Sequence, residues 1–185
     1  MWRRGFTLVE LLTVLAIVAG LWALAFPSFS QLIERIHSTS RINALVGLVR
    51  FARQTAVTQR QWVTLCPARG DACANSRDWS TGILTFADLN RDGERQPDET
   101  ILAYHDALEP GERLTWRSFR RSNYLQFRAE GYTNWQNGSF LYCPASGDAR
   151  NGKVLIINIQ GRPAAGADLD GDGVVEQASG EPLVC

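Results

Sequence analysis

Between positions 6 and 26 the chain is apolar at almost every residue; from 32 to 56 apolar residues return at spacings of three and four, and from Trp62 onward apolar and polar residues alternate. Each period predicts a different element. The first run has about the 20 residues that a membrane-spanning helix needs at a rise of 1.5 Å each. Leu32, Ile33, Ile36, Ile42, Leu45, Val46, Val49, Ala52 and Ala56, with Arg35, Arg41, Arg50, Arg53 and Arg60 between them, describe an amphipathic helix over 27–61 whose apolar stripe lies on a sheet. Pro27 falls where the two helical stretches meet, and its missing amide predicts a kink or local melting there. Alternating segments at 62–66, 82–87, 100–104, 114–119, 124–127, 139–143 and 153–160 are separated by Gly, Asn and Asp turns, with no second helical period. The expected class is α+β: a long N-terminal helix packed on antiparallel sheet, with the β-rich domain at 62–185.

One acid breaks the first run. Glu10 stands among apolar neighbours, and a carboxylate at the centre of a bilayer costs about 2.5–3.5 kcal/mol on insertion scales, so it calls for a partner. No Lys, Arg or His lies between Phe6 and Phe26, which leaves another molecule or a newly made chain end to supply the cation. Arg3 and Arg4 ahead of the run keep the start on the cytoplasmic side.

The residues Gly5-Phe6-Thr7-Leu8-Val9-Glu10 together with the long apolar run resemble the class III signal of type IV pilins and type II secretion pseudopilins. The resemblance implies that 1–5 is a leader removed by a prepilin peptidase between Gly5 and Phe6. It further implies that Phe6 becomes an N-methylated terminus and that Glu10 pairs with the terminal amine of a neighbouring subunit. On this reading 6–26 is the transmembrane and filament-core helix and 27–61 its amphipathic continuation. A secretory signal peptide ending near Val18-Ala19-Gly20 or Ala23-Leu24-Ala25 is a rival, as is a plain single-span anchor, which leaves Glu10 unexplained.

At 185 residues and 45% hydrophobic content, the chain has room for one membrane helix and a globular domain of roughly 120 residues. Its formal charge of zero excludes a global basic field of the kind that gathers nucleic acid. Four cysteines, Cys66, Cys73, Cys143 and Cys185, follow the membrane signal onto the exported side, where disulfides persist. Of the three connectivities we favour Cys66 with Cys73, closing a short polar loop, and Cys143 with Cys185, pinning the C-terminal tail to a strand. Zinc is the rival use, but the spacing lacks the C-x-x-C pairs of a structural site.

The run from Trp79 to Glu94, Glu99-Thr100-Ile101-Leu102, and Gly161-Arg162 after an apolar strand resemble the GspH/FimT group of minor pilins and pseudopilins. That implies the pilin-like fold and a low-abundance subunit that primes assembly or occupies a filament tip. The expected function is therefore that of a minor type IV pilin, with a minor pseudopilin of a type II secretion system as first alternative. The implied partners are other minor and major pilins or pseudopilins, the prepilin peptidase and the inner membrane, crossed once with the C-terminal domain in the periplasm and later on the pilus.

Two acidic loops and a set of arginines supply the remaining chemistry. Asp88-x-Asn90-x-Asp92-Gly93 followed by Glu99 has the D-x-[DN]-x-[DN]-G-x5-E spacing of a calcium loop. The same residue types also build tight turns. Asp168-x-Asp170-x-Asp172-Gly173 with Glu176 is a partial second match, with Ser179 at the twelfth place. Calcium is thus a candidate ligand at both. DNA is a candidate partner: Arg117, Arg120, Arg121 and Arg128, with Trp116, Tyr124 and Trp135, are suited to phosphate contact and base stacking. A Gly-Arg-x-Arg motif is associated with DNA capture in some FimT-like members; here it reads Gly161-Arg162-Pro163-Ala164 and lacks the second arginine. His37 and His105 have no accompanying nucleophile or phosphate-loop pattern, so no enzyme is expected.

Overall fold

The structure, a computed structural model, describes residue 5 and residues 7–120 and 122–185, apart from the side chains of 23–28. The expectations at Arg3, Arg4, Phe6 and Arg121 lie outside the described residues, as do the side chains at the end of the 6–26 run. The chain divides into two compact units, Met1–His37 and Ser38–Cys185. One helix, α1 (Leu8–Gln59, 52 residues), contributes to both.

In the first unit α1 exposes apolar side chains on every side, including Leu8, Val9, Leu11, Leu12, Leu15 and Trp22. It passes position 27 without a break, so the local melting expected there does not occur; a proline removes one backbone bond from a ladder that continues on either side. Among the described residues no helix is long and apolar enough to cross a membrane.

In the second unit the later part of the stripe read from the spacing, Ile42, Leu45, Val49, Ala52 and Ala56, is buried, whereas Leu32, Ile33 and Ile36 in the first unit are exposed and lie on no sheet. The two alanines lack bulk and let the helix axis approach the sheets closely. Two antiparallel sheets complete the unit. The first comprises β1 (Val63–Arg69), β2 (Ala72–Cys73), β3 (Ile83–Ala87), β4 (Ile101–His105) and β6 (Leu125–Phe127), in the order β2-β1-β3-β4 with β6 also on β1. The second comprises β5 (Arg113–Ser118), β7 (Gly138–Cys143), β8 (Lys153–Ile157) and β9 (Pro163–Ala165), in that order.

Two departures from the expected pattern have local causes. The segment expected to be a loop from Pro67 is strand as far as Arg69, because Pro67 pairs with Ile83, and the chain then reverses into β2 through Gly70, whose φ of 62° is the left-handed geometry glycine accepts freely. β9 was not expected, since it begins at a proline; it is an edge strand, where a missing amide breaks no ladder. The disulfides join Cys66 to Cys73 and Cys143 to Cys185, as favoured from the sequence, each with Cα atoms 5.5 Å apart.

The core centres on Trp79, Trp116 and Phe140, all fully buried, with Phe140 4.8 Å from Trp79 and 4.3 Å from Trp116 between ring centroids. Such contacts add about 0.5–1.5 kcal/mol each beyond area burial. Trp116 is therefore corrected from a candidate stacking platform to a core residue: Leu114 and Trp116 alternate onto the inner face of β5. At one edge of this core the Tyr142 hydroxyl donates to Glu112 Oε1 at 2.6 Å, and Arg41 Nη2 on α1 reaches Glu112 Oε2 at 3.3 Å. Burial, together with this carboxylate, pushes the Tyr142 phenol well above its ordinary pKa. Removing one member of such a pair costs about 3–5 kcal/mol, because it strands a buried charge.

Candidate functional site

Three regions carry the residues singled out above. The first is the start of α1. Thr7 precedes the helix, and its Oγ1 accepts from the Glu10 amide at 3.3 Å, while Leu11 N–H reaches the Thr7 carbonyl at 3.1 Å. This is half of a capping box, Thr-x-x-Glu, in which a Glu side chain normally returns to the cap amide. Among the described residues the Glu10 carboxylate makes no such return bond, nor an ion pair. It is exposed between Val9 and Leu11, on a helix turn that favours negative charge. The capping role of Thr7 was not read from the sequence, although Thr-x-x-Glu is its signature.

The second region is the pair of acidic loops, which share one backbone design. In the first, Asp88 Oδ1 accepts from Arg91 N at 2.6 Å and Oδ2 from Gly93 N at 3.1 Å; in the second, Asp168 Oδ1 accepts from Gly171 N at 2.7 Å and Oδ2 from Gly173 N at 2.9 Å. Asn90 and Asp170 each accept from the amide two residues on, as do Asp92 and Asp172. A later glutamate closes each turn: Glu99 Oε1 takes Leu89 N and Glu176 Oε2 takes Leu169 N, both at 2.8 Å.

What surrounds the turns differs. Asp88 is buried, and its Oδ2 also receives Thr64 Oγ1 and Gln126 Nε2, each at 2.6 Å. Glu99 Oε2 takes Gln96 N at 3.0 Å, and Asp92 Oδ2 takes both Asn90 Nδ2 and Gln96 Nε2. The first loop is thus saturated by protein donors. In the second, Asp168 and Asp170 are exposed, Glu176 is buried, and one oxygen from each lies within 4.8 Å of the others. That spacing matches carboxylates around one hard cation.

The third region is basic, and the structure divides it. Arg117 is tied to Gln177 at 3.0 Å, Arg120 lies over the Trp135 ring at 5.5 Å, and Arg128 lies over Trp62 at 5.5 Å while its guanidinium bonds Asn134. Arg91 approaches the same Trp62 ring at 5.0 Å. Arg162 stands apart from these, in an open groove of about 690 Å³ with Arg50 and Arg53 of α1. The grouping of Arg162 with two helical arginines was not foreseen. Arg50 and Arg53 share a helix face by spacing alone, but their proximity to Arg162 depends on a contact more than a hundred residues apart in sequence.

Comparison with known proteins places this geometry. The family model described as type II transport protein GspH matches residues 41–161, more than half of the 185. The prokaryotic N-terminal methylation motif matches residues 3–19. No curated protein matches by sequence. Among solved structures, the type IV minor pilin FimU of Pseudomonas aeruginosa PAO1, in space group P21, aligns with a TM-score of 0.57 and 23% identity over 72% of this chain and 91% of that one. A second crystal form of FimU, P65, gives 0.52 and 23%, over 70% and 92%. The minor pseudopilin EpsH from the type 2 secretion system of Vibrio cholerae gives 0.51 and 8%, over 69% and 94%. At these identities the likeness to the solved structures is one of fold.

Proposed function

The chain belongs to the GspH family of type II transport proteins, and from that premise we propose that it serves as a minor type IV pilin, cut between Gly5 and Phe6, methylated at Phe6 and incorporated into the pilus through Glu10. The role is structural. The observation that carries the reading is the Glu10 carboxylate: exposed in the first turn of α1, within the matched methylation motif, and without a partner among the described residues.

A carboxylate in an apolar stretch is stabilised when a neighbouring subunit brings a cation to it, and that requirement gives adjacent subunits a defined register. On this reading 6–26 anchors the chain once across the inner membrane before assembly, and the β-rich domain faces the periplasm. A place at the pilus tip, or in priming assembly, fits the low abundance that the family resemblance implies.

Glu10→Gln tests the reading. It keeps shape and removes charge, so we expect the variant to be processed normally but recovered in sheared pili at less than about a tenth of the wild-type level. Normal recovery would overturn the assembly role. Gly5→Leu is expected to leave uncut precursor, visible by intact mass. Deletion of the gene, scored together for twitching, secretion and transformation, separates the related roles: loss of twitching supports the pilin, loss of secretion alone a pseudopilin, and loss of transformation alone a DNA-capturing subunit.

A further inference from the structure

Arg50, Arg53 and Arg162 converge on one open groove whose apolar lining comes from Gly47, Phe51 and Pro163. Arg53 is held in place, its Nε donating to Gly131 O at 2.9 Å and Gln160 O at 3.3 Å. Arg162 is set by its backbone: its N–H donates to Asn158 Oδ1 at 2.9 Å, and Gly161 before it has a φ of 70°. Among the described residues neither the Arg50 nor the Arg162 side chain makes a hydrogen bond or an ion pair, and no acid lines the groove. Three guanidinium groups that line one groove with no acid among them repel one another, and that repulsion is relieved when an acidic group docks. Phe51, 43% exposed, adds a floor that rewards an apolar tip.

The chain carries a segment of that description. Asp168, Leu169 and Asp170 are exposed in succession, with Leu169 78% exposed between the two acids. The segment is rigid before binding, because Asp168 closes on Gly171 N and Gly173 N, while Leu169 N is held by Glu176. A preorganised tip loses little conformational freedom on docking.

We propose that the Arg50–Arg53–Arg162 groove receives the Asp168-Leu169-Asp170 tip of a second copy of this chain, with Leu169 on Phe51 and the two carboxylates on the guanidinium groups. Paired charged hydrogen bonds of this kind give specificity as well as energy. A nucleic acid would also neutralise the arginines. The apolar floor, with its one aromatic ring, suits a single apolar side chain flanked by acids better than a run of phosphates. The contact is made by the second unit and does not depend on Glu10.

The test uses the full chain in detergent micelles, followed by sedimentation velocity at low and high salt. Arg50→Glu with Arg162→Glu, and separately Asp168→Arg with Asp170→Arg, are each expected to weaken self-association about tenfold or more, and an equimolar mixture of the two variants to restore it, because each copy retains the half the other needs. Gly47→Leu provides a variant without charge change: a Cβ there meets nothing within 4 Å, and leucine favours the helix over glycine, so the fold is kept while the groove is filled. Its self-association is expected to fall as well, with the melting temperature unchanged or raised. Glu10→Gln should leave the pairing intact, which separates this contact from the assembly reading. Unchanged self-association in either charge variant, or a mixture that behaves like its components, would overturn the proposal. So would a groove variant that loses retention of duplex DNA while self-association persists, since the groove would then be a nucleic-acid site.

Discussion

The loops that begin at Asp88 and at Asp168 fold the same turn from nearly the same sequence, yet the two leading aspartates do different work. Each closes its turn with two amide bonds to residues three and five places on, and each loop is capped by a later glutamate. Asp88 is buried and also takes side chains from β1 and β6, so it locks the first sheet; Asp168 is exposed and locks only its own turn. The lesson is that a turn motif specifies local geometry, while its energetic weight comes from what the rest of the fold places beside it.

The largest test of that contrast is Asp88→Asn against Asp168→Asn. An amide in the buried position turns a donor toward donors, and we expect a loss of about 3 kcal/mol, with a melting temperature lower by roughly 10 °C; the exposed change should cost under about 1 kcal/mol. Equal losses, measured by calorimetry, would erase the distinction.

A second test concerns the backbone at the third residue after each aspartate, which is left-handed in both loops: Arg91 with φ 69° and Gly171 with φ 82°. A side chain there costs about 1 kcal/mol or a little more. Arg91 offsets that cost by stacking on Trp62 at 5.0 Å, a contact of the kind that contributes about 0.5–1 kcal/mol. Gly171→Ala should therefore destabilise by about 1 kcal/mol, while Arg91→Gly should be nearly neutral, because strain and stacking are lost together. Denaturant titration reads both.

Smaller effects sharpen the same comparison. Calcium binding to the native state raises stability by about 0.4 kcal/mol when free calcium equals the dissociation constant. Any rise in melting temperature that calcium produces is expected to vanish in Asp168→Asn and to persist in Asp92→Asn, whose loop has its oxygens already occupied by protein donors.

The smallest effect is on Tyr124, whose phenol is raised above its ordinary pKa by burial first and by the Asp88 charge next. A raised tyrosine favours the neutral form in the fold, so its contribution is complete below about pH 10, the unfolded value, and is lost as pH rises through the higher folded value. Ultraviolet titration of the phenolate should show Tyr124 ionising at lower pH in Asp88→Asn than in the wild type, still above an ordinary tyrosine because burial remains.

Much of the fold was legible from local pattern. The helical stripe of Ile42, Leu45, Val49, Ala52 and Ala56 has the period of its own backbone, and it is buried as that period demands. The Cys66–Cys73 pairing was legible because a short polar loop between the cysteines brings them together. β2 and β9 were not, since two or three residues are too few to show an alternation and Pro163 argues against a strand unless its edge position is known. Trp116 was misread for a related reason: alternation along β5 separates two faces without saying which one α1 and the first sheet will cover.

Among the sites, Glu10 and the glycine before the apolar run stood out because their chemistry is anomalous in their own sequence neighbourhood. The basic groove did not, because Arg50 and Arg162 become neighbours only when the turn at 158–162 meets Arg53 of α1.

The sequence by itself determined the inner turns, since the bonds that Asp88 and Asp168 accept come from amides three and five residues on, whereas the glutamate that closes the first loop acts across ten residues. Tertiary structure decided which acid would be buried: the donors that enclose Asp88 come from Thr64, 24 residues away, and Gln126, 38 residues away. Hydrogen bonds over a few residues form from local geometry, whereas exclusion of water requires surfaces from distant parts of the chain to meet, and only the second makes a carboxylate costly to change.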